Sequence, residues 1–288
     1  AQVGGAATLV ALEALDADPS TEVIVVLSKP PAPQVADRIR DAVEDLVTPV
    51  ILGMIGPGQD DLTAVARRVL ERRGSEAGHP RSWQPITTDE ATSEGAAGQH
   101  AYGGGPTAGL PRGRPPRRGA VNGFFAGGTL CAEAVLLASD AFGEVRSNIE
   151  PGDPGSSSPH LFLDLGEDEF TRGRPHPMID NTLRIERIHE AGRDPAVAVL
   201  LLDVVLGHGA HPDPAGELGP EIESARSDAA ARGDDLAVVV SLCGAAGDPQ
   251  GRDRQIQRLR EAGASVHLSN AHAAREAIRL VDVEEAEA

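Results

Sequence analysis

The sequence predicts an α/β protein built on parallel sheets, in two domains joined by an irregular linker. Three observations predict it. Short runs of Val, Ile and Leu alternate with longer segments of helical apolar spacing, and this order repeats without a break over the second half of the chain. Several of these runs pass through a Gly- or Asp-rich turn into the following helix, as parallel strands do at one edge of an open sheet. Between the halves, Ser75 to Gly119 is Gly, Pro, Ser and Arg with isolated His and no apolar period. A stretch of that length without periodicity reads as a linker, a lid or a disordered bridge.

The first domain, residues 1–74, reads as helix Ala6 to Leu15, strand Glu22 to Leu27, helix Pro33 to Leu46, strand Val47 to Ile55 and helix Asp60 to Arg73. Asp60 or Asp61 sits where an N-cap is needed. Two strands and three helices make half of a doubly wound fold, so this domain is partial. The second domain, residues 120–282, opens with strand Val121 to Ala126, the turn Gly127-Gly128-Thr129 and helix Leu130 to Ala141. Strand Leu161 to Leu165, helix Asn181 to Ala191, strand Val197 to Leu206 and helix Glu217 to Arg232 follow. Strand Leu236 to Cys243, helix Arg252 to Ala262, strand Ser265 to Leu268 and helix Ala271 to Leu280 complete it. Five strands in strict alternation imply a flavodoxin-like or Rossmann-like sheet.

Composition removes several classes of function. A net charge of −18 argues against nucleic-acid binding, which needs clustered excess base. The one basic run, Arg112 to Arg118, lies among prolines with no aromatic neighbour to stack a base. Aromatic content of 2% means that the cores are aliphatic. Lys29 is the only lysine. It follows a strand, where it serves equally as an anion contact or a surface charge. With two cysteines, Cys131 and Cys243, there is no disulfide framework, and no apolar run has transmembrane length. The expectation is a reduced, cytoplasmic protein without a membrane partner. The absence of an initiator Met and the opening in Gly4-Gly5 suggest a fragment of a longer protein or one subunit of a split system.

The chemistry-bearing residues gather in the loops after strands. Gly127-Gly128-Thr129 lets the backbone approach an anion where a helix begins and its N–H groups are unpaired. Gly244 to Asp248, with Gly244 and Gly247, offers the same after a later strand. Tight turns with a Thr or Asp cap are the alternative for both. His208-Gly-Ala-His211-Pro-Asp213 suits a small anionic substrate or acid–base work near neutral pH. A metal site is a weaker reading, because the spacing falls on a loop, and tying the loop to its neighbours is another. His176 is fixed between Pro175 and Pro177, and Asp180 either caps the next helix or contacts substrate. Cys131, inside a helix start, is either a lowered-pKa thiol or a small buried hydrophobe. The catalytic candidates are thus His176, His208 and His211. The anion-binding candidates are Gly127, Gly128, Thr129, Asp180, Asp213, Gly244 and Gly247, with no metal site assigned.

Four segments carry a family resemblance: EVIVVLSKPP (Glu22–Pro31), FAGGTLCAEA (Phe125–Ala134), HPMIDNTLRIERI (His176–Ile188) and LLDVVLGHGAHPDPA (Leu201–Ala215). They resemble the FdrA family of the succinyl-CoA synthetase superfamily. The resemblance implies that both domains are ligase-type flavodoxin-like domains, and that a CoA-binding N-terminal domain usual in the family lies outside this sequence. CoA then belongs to a full-length protein, and this chain carries no cofactor. It does not carry over the phosphorylated histidine of succinyl-CoA synthetases. The matching loop runs from Met54 to Gly58 into a helix without one, and His79 and His100 lie in the linker. Nor is an ATP-grasp domain part of this sequence.

FdrA-like proteins are linked to purine-nitrogen breakdown, in a complex that exchanges a carbamoyl group between oxalurate and phosphate. The expected role is therefore acyl or carbamoyl transfer with phosphate, in a homo- or hetero-oligomer. Two alternatives stand beside it: a component of an acyl-CoA ligase, and a non-catalytic scaffold or regulatory subunit.

Overall fold

The computed structural model describes residues 4–29, 31–74 and 117–281. The linker read at 75–119 lies outside them except for its last three residues, as do His79, His100 and most of the basic run. The chain divides into two compact units, residues 1–79 and 80–288.

The first unit contains α1 (Ala6–Asp16), β1 (Ile24–Ser28), α2 (Pro33–Glu44), β2 (Val50–Met54) and α3 (Leu62–Arg72). β1 and β2 pair in parallel, Ile24 with Val50 through Ser28 with Met54, and form a sheet of two strands. Its core gathers Leu12, Ile24, Ala36, Ile39 and Met54. Val25 and Leu27 stay exposed on β1, as does Val47 before β2. The elements fall where periodicity puts them, and Asp61 caps α3 by accepting from the Ala64 N–H at 2.8 Å.

The second unit contains β3 (Ala120–Phe125), α4 (Gly128–Phe142), β4 (Arg146–Ser147), β5 (Leu161–Asp164), α5 (Asp168–Thr171) and α6 (Thr182–Arg193). Next come β6 (Val197–Val205), α7 (Pro214–Ala231), β7 (Ala237–Cys243), α8 (Arg252–Glu261), β8 (Ser265–His267) and α9 (Asn270–Arg279). Its six strands are all parallel, in the order β4-β5-β3-β6-β7-β8. Apart from the two-residue edge strand β4, this is the 2-1-3-4-5 order of flavodoxin-like sheets.

Both faces of the sheet are covered. One core packs Ile188 of α6, Leu218 and Ile222 of α7 and Leu259 of α8 against Leu200 and Leu202. The other packs Cys131, Ala134 and Val135 of α4 and Ala273 and Ala277 of α9 against Val199 and Leu201. β6, buried almost throughout, therefore reads as one apolar run, as a central parallel strand must. Each fully buried Leu contributes roughly 1.5–3 kcal/mol. β4 and α5 were not expected from the sequence. α7 begins three residues earlier than its apolar spacing, because Pro214 supplies its first turn. Among the described residues no helix is long and apolar enough to cross a membrane.

Candidate active site at the topological switch point

The strand order reverses at β3, which lies between β5 and β6, and the carboxyl ends of β3 and β6 form the crevice where open α/β sheets take ligands. At its centre is Asp203, the single charge in the apolar run of β6, with no exposure to solvent. Its carboxylate accepts from the Ala126 N–H at 2.8 Å and the Gly127 N–H at 3.0 Å, fixing the turn after β3. Arg184 of α6, equally buried, lies 3.5 Å from the Asp203 carboxylate and donates to the Asp203 carbonyl. Burial pushes the Asp203 carboxyl up, against Arg184 and the two N–H donors, which pull it down.

Gly127 is the N-cap of α4 and has no side chain with which to cap it. Asp61 and Ser269 perform that task for α3 and α9. The first-turn N–H groups of α4, from Gly128 and Thr129, therefore lack a side-chain cap among the described residues, where the helix dipole favours an anion.

Two loops close over this corner with the same local device. In His176-Pro177-Met178 the imidazole Nδ1 accepts the Met178 N–H at 3.2 Å, and in His211-Pro212-Asp213 it accepts the Asp213 N–H at 3.1 Å. The turns are joined main chain to main chain, His211 N–H donating to the Met178 carbonyl at 2.8 Å. The His176 ring reaches the sheet edge. A Cβ on Gly166 would lie 2.7 Å from His176 Nε2 and 3.0 Å from the Ala126 carbonyl, so only glycine leaves room for the ring there. His211 Nε2 meets Glu217 at 3.1 Å. Glu217 accepts from the Asn181 side-chain amide at 2.7 Å, and Asn181 Oδ1 accepts from Arg184 at 3.4 Å, so a polar chain runs from the surface to Asp203. His208 is exposed and makes no hydrogen bond among the described residues. It sits between Gly207 and Gly209, whose φ values of 130° and 85° suit glycine.

The remaining candidates are placed as follows. Asp180 lies one residue before the α6 N-cap and accepts the Thr182 N–H at 2.8 Å. The Thr182 hydroxyl and then this N–H, helped by the nearby His211 and Arg174, keep its carboxyl below the usual range. Asp213 faces α8, accepting from Gln255 at 2.7 Å and from Arg258. Its carboxyl feels an upward push from burial but is held low overall by these two donors.

Gly244 and Gly247 follow β7 at the same edge of the sheet, but α8 begins only at Arg252. The Asp248 carboxylate already holds the Ala245 N–H at 2.7 Å. Gly244 is required for packing, since a Cβ there would lie 2.8 Å from Leu206. Cys131 is fully buried in the α4–α9 core. His208, His211 and Asp213 do not converge: their side chains are respectively exposed, paired with Glu217 and paired with α8. Among the described residues no three His, Cys, Asp or Glu form a group able to hold a metal ion.

Sequence reasoning gave no role to Arg184, Asn181, Glu217 or Gln250. The signal for Arg184 was present. It shares the buried stripe of α6 with Ile188 and Ala191, and a charge on such a stripe needs a partner. Gln250, buried after β7, donates to the carbonyls of Gly207 and His211 at 2.8 and 3.1 Å and so holds the His208 loop from the other side. On the outer flank of the His176 turn, a cleft of about 220 Å³ is bordered by Leu165, Phe170, Arg174, Pro177, Asp180 and Glu186.

A doubly covered parallel sheet, with an uncapped helix start and two imidazole turns at the carboxyl edge of its switch point, defines a flavodoxin-like α/β protein. The chain belongs to the CoA-ligase family, whose profile matches residues 124–280. It is 35% identical over 269 residues to the uncharacterized protein YahF of Escherichia coli strain K12, an alignment covering 91% of this chain and 51% of YahF. The chain thus spans about half the length of this curated relative. The crystal structure of PH0766 from Pyrococcus horikoshii OT3 aligns with 96% of this chain and 56% of that one, at 12% identity and a TM-score of 0.34.

Proposed function

We propose that this chain is an FdrA-like subunit that transfers an acyl or carbamoyl group to or from phosphate at the carboxyl edge of the six-stranded sheet. The observation that carries this reading is the start of α4: its Gly127 cap is bare, and its first-turn N–H groups lack a side-chain cap among the described residues, while the His176 ring faces Gly166 beside the Ala126 carbonyl and the Asp164 carboxylate. First-turn N–H groups hold the phosphate oxygens, and the pairing of Asp203 with Arg184 keeps a bare carboxylate from repelling them. With oxalurate, a phosphate oxygen attacks the carbamoyl carbon and the bond to the amide nitrogen breaks. The phosphate proton passes to that nitrogen, leaving carbamoyl phosphate and oxamate.

Gly127→Asn tests this. Asn is a good N-cap and would occupy the N–H groups itself, changing stability by only a few tenths of a kcal/mol. The expected result is an unchanged or raised melting temperature with inorganic phosphate affinity at least about tenfold weaker, since hydrogen bonds to charged groups are lost. Undiminished phosphate affinity would exclude α4 as the anion site.

A second reading, favoured by membership of the CoA-ligase family, makes the chain part of an acyl-CoA ligase. CoA-dependent acyl transfer by a protein of the relative's full length, without phosphorolysis of oxalurate, would select it.

A further inference from the structure

Parallel pairing with β2 uses only half of the main-chain groups of β1. The Ile24 N–H donates to the Pro49 carbonyl at 2.9 Å, and the Ser28 carbonyl accepts from Ile55 at 3.0 Å. The groups of Ile24, Val26 and Ser28 therefore face β2, and those of Val25 and Leu27 point to the opposite edge. No strand lies along that edge among the described residues. The side chains of the same two residues are left in water, Val25 38% and Leu27 55% exposed, whereas β2 has no exposed side chain.

Leu27 lies over Gly53, where a Cβ would come within 2.7 Å of it and 3.0 Å of Val65. Val25, two residues before it, shares that face, the one that α3 covers over β2. Natural sheet edges are guarded by a lysine, a proline or a bulge, and β1 has none of these between Ile24 and Ser28. Of the six large apolar side chains exposed among the described residues, five belong to this first unit, so uncovered apolar surface gathers where the sheet is shortest of strands.

The charges at its ends fit the strand to itself. Glu22 stands just before β1 and Lys29 just after it. A second β1 laid parallel would set like charges together at both ends. Laid antiparallel, it sets Glu22 of each copy at the same end as Lys29 of the other. Antiparallel joining of two identical edges is what a two-fold axis produces.

We propose that β1 joins β1 of a second copy antiparallel, about a two-fold axis at Val26, giving a continuous sheet in the order β2-β1-β1-β2. Val25 of each copy then exchanges main-chain hydrogen bonds with Leu27 of the other. Their side chains form apolar cross-strand pairs on the α3 face, and the groups that β2 leaves unused are all satisfied.

Sedimentation velocity and backbone amide exchange of the full chain, followed over a dilution series, provide the test. The expected particle is a dimer whose Val25 and Leu27 amides exchange faster on dilution, while those of Ile24 and Val26 do not change. Leu27→Lys keeps the fold, because that side chain is already half in water, and should weaken the dimer at least about tenfold by placing charge in the joint. Val25→Pro removes an N–H that β2 does not use, which an edge strand tolerates, and should weaken it as much. Glu22→Lys should weaken it about two- to fivefold, as exposed charges do, and Glu22→Lys combined with Lys29→Glu should recover it.

A monomer at every concentration with fast exchange at Val25 and Leu27 overturns the inference. So does a monomer in which those amides are protected, since another segment then holds the edge. A dimer indifferent to Leu27→Lys and Val25→Pro is joined elsewhere and overturns it too. A Glu22→Lys variant that the second charge swap does not rescue overturns the antiparallel joint.

Discussion

After β3 the chain passes from Gly127 directly into α4, so the cap of that helix is a residue with no side-chain oxygen to offer it. After β7 the run from Gly244 to Asp248 closes on itself, the Asp248 carboxylate holding the Ala245 N–H, and α8 starts only at Arg252. Both turns are small-residue loops at the carboxyl edge of one sheet. The difference teaches that glycine content alone does not make an anion cradle. What counts is whether a helix starts at once, and whether a neighbouring carboxylate has already taken the N–H groups that a ligand would need. Asp203 sharpens this, because it holds the N–H of Ala126 and Gly127 and thereby orients the turn, leaving Gly128 and Thr129 uncapped by any side chain among the described residues.

The strongest way to break the comparison is to take the cation from the carboxylate that sets the β3 turn. Arg184→Met leaves the Asp203 carboxylate buried without its cation, and breaking such a pair costs about 3–5 kcal/mol. Urea denaturation should register that loss, and the Gly127 and Gly128 amide resonances should move while those of Gly247 and Asp248 stay. A loss below about 1 kcal/mol would mean that the pair does not hold the turn.

Acid provides the next test, because it acts on a background common to both turns. His160, stacked on Phe142 with ring centroids 3.8 Å apart, and His267 of β8 are each driven by burial to about 4. Unfolding returns both to the ordinary imidazole value of about 6.5, so the unfolded chain binds more protons. Their contribution is complete above about pH 6.5 and falls as pH drops toward 4. The melting temperature should decline across that window, and His160→Phe should flatten the decline. An unaltered slope in that variant would exclude His160 as a source.

The smallest effects separate the two glycines of the β7 turn. A Cβ on Gly244 would press on Leu206 at 2.8 Å, and overpacking of this kind costs about 1–3 kcal/mol. Gly247 has nothing within 4 Å, so Gly247→Ala should stay within about 0.5 kcal/mol. Equal melting temperatures for the two variants would contradict this division.

Most of the fold was legible in the sequence because its longer strands are short apolar runs, several of them rich in Val, Leu and Ile, and its longer helices show a period. β4, with two residues, and α5, with four, show none. α7 was read short because Pro214 looks like loop and acts as a first helical turn. The candidate site was legible as loops and not as pairs. The glycine turn and the His-Pro turns stand out by composition, and Asp203 by interrupting an apolar run. That Asp203 meets Arg184, that Glu217 meets Asn181, and that Asp213 turns to Gln255 and Arg258 depend on partners 19 to 45 residues away. Such pairings follow from sheet order and helix placement, which residue spacing does not encode.

The bond from the His211 N–H to the Met178 carbonyl has a consequence for how much change the loops tolerate. Because both partners are peptide groups, replacing the side chain at either position leaves the link intact. The exception is proline at 211, which deletes the donor. The register between the two imidazole loops is thus insulated from most single substitutions, and the rings they carry can be exchanged one at a time without the frame coming apart.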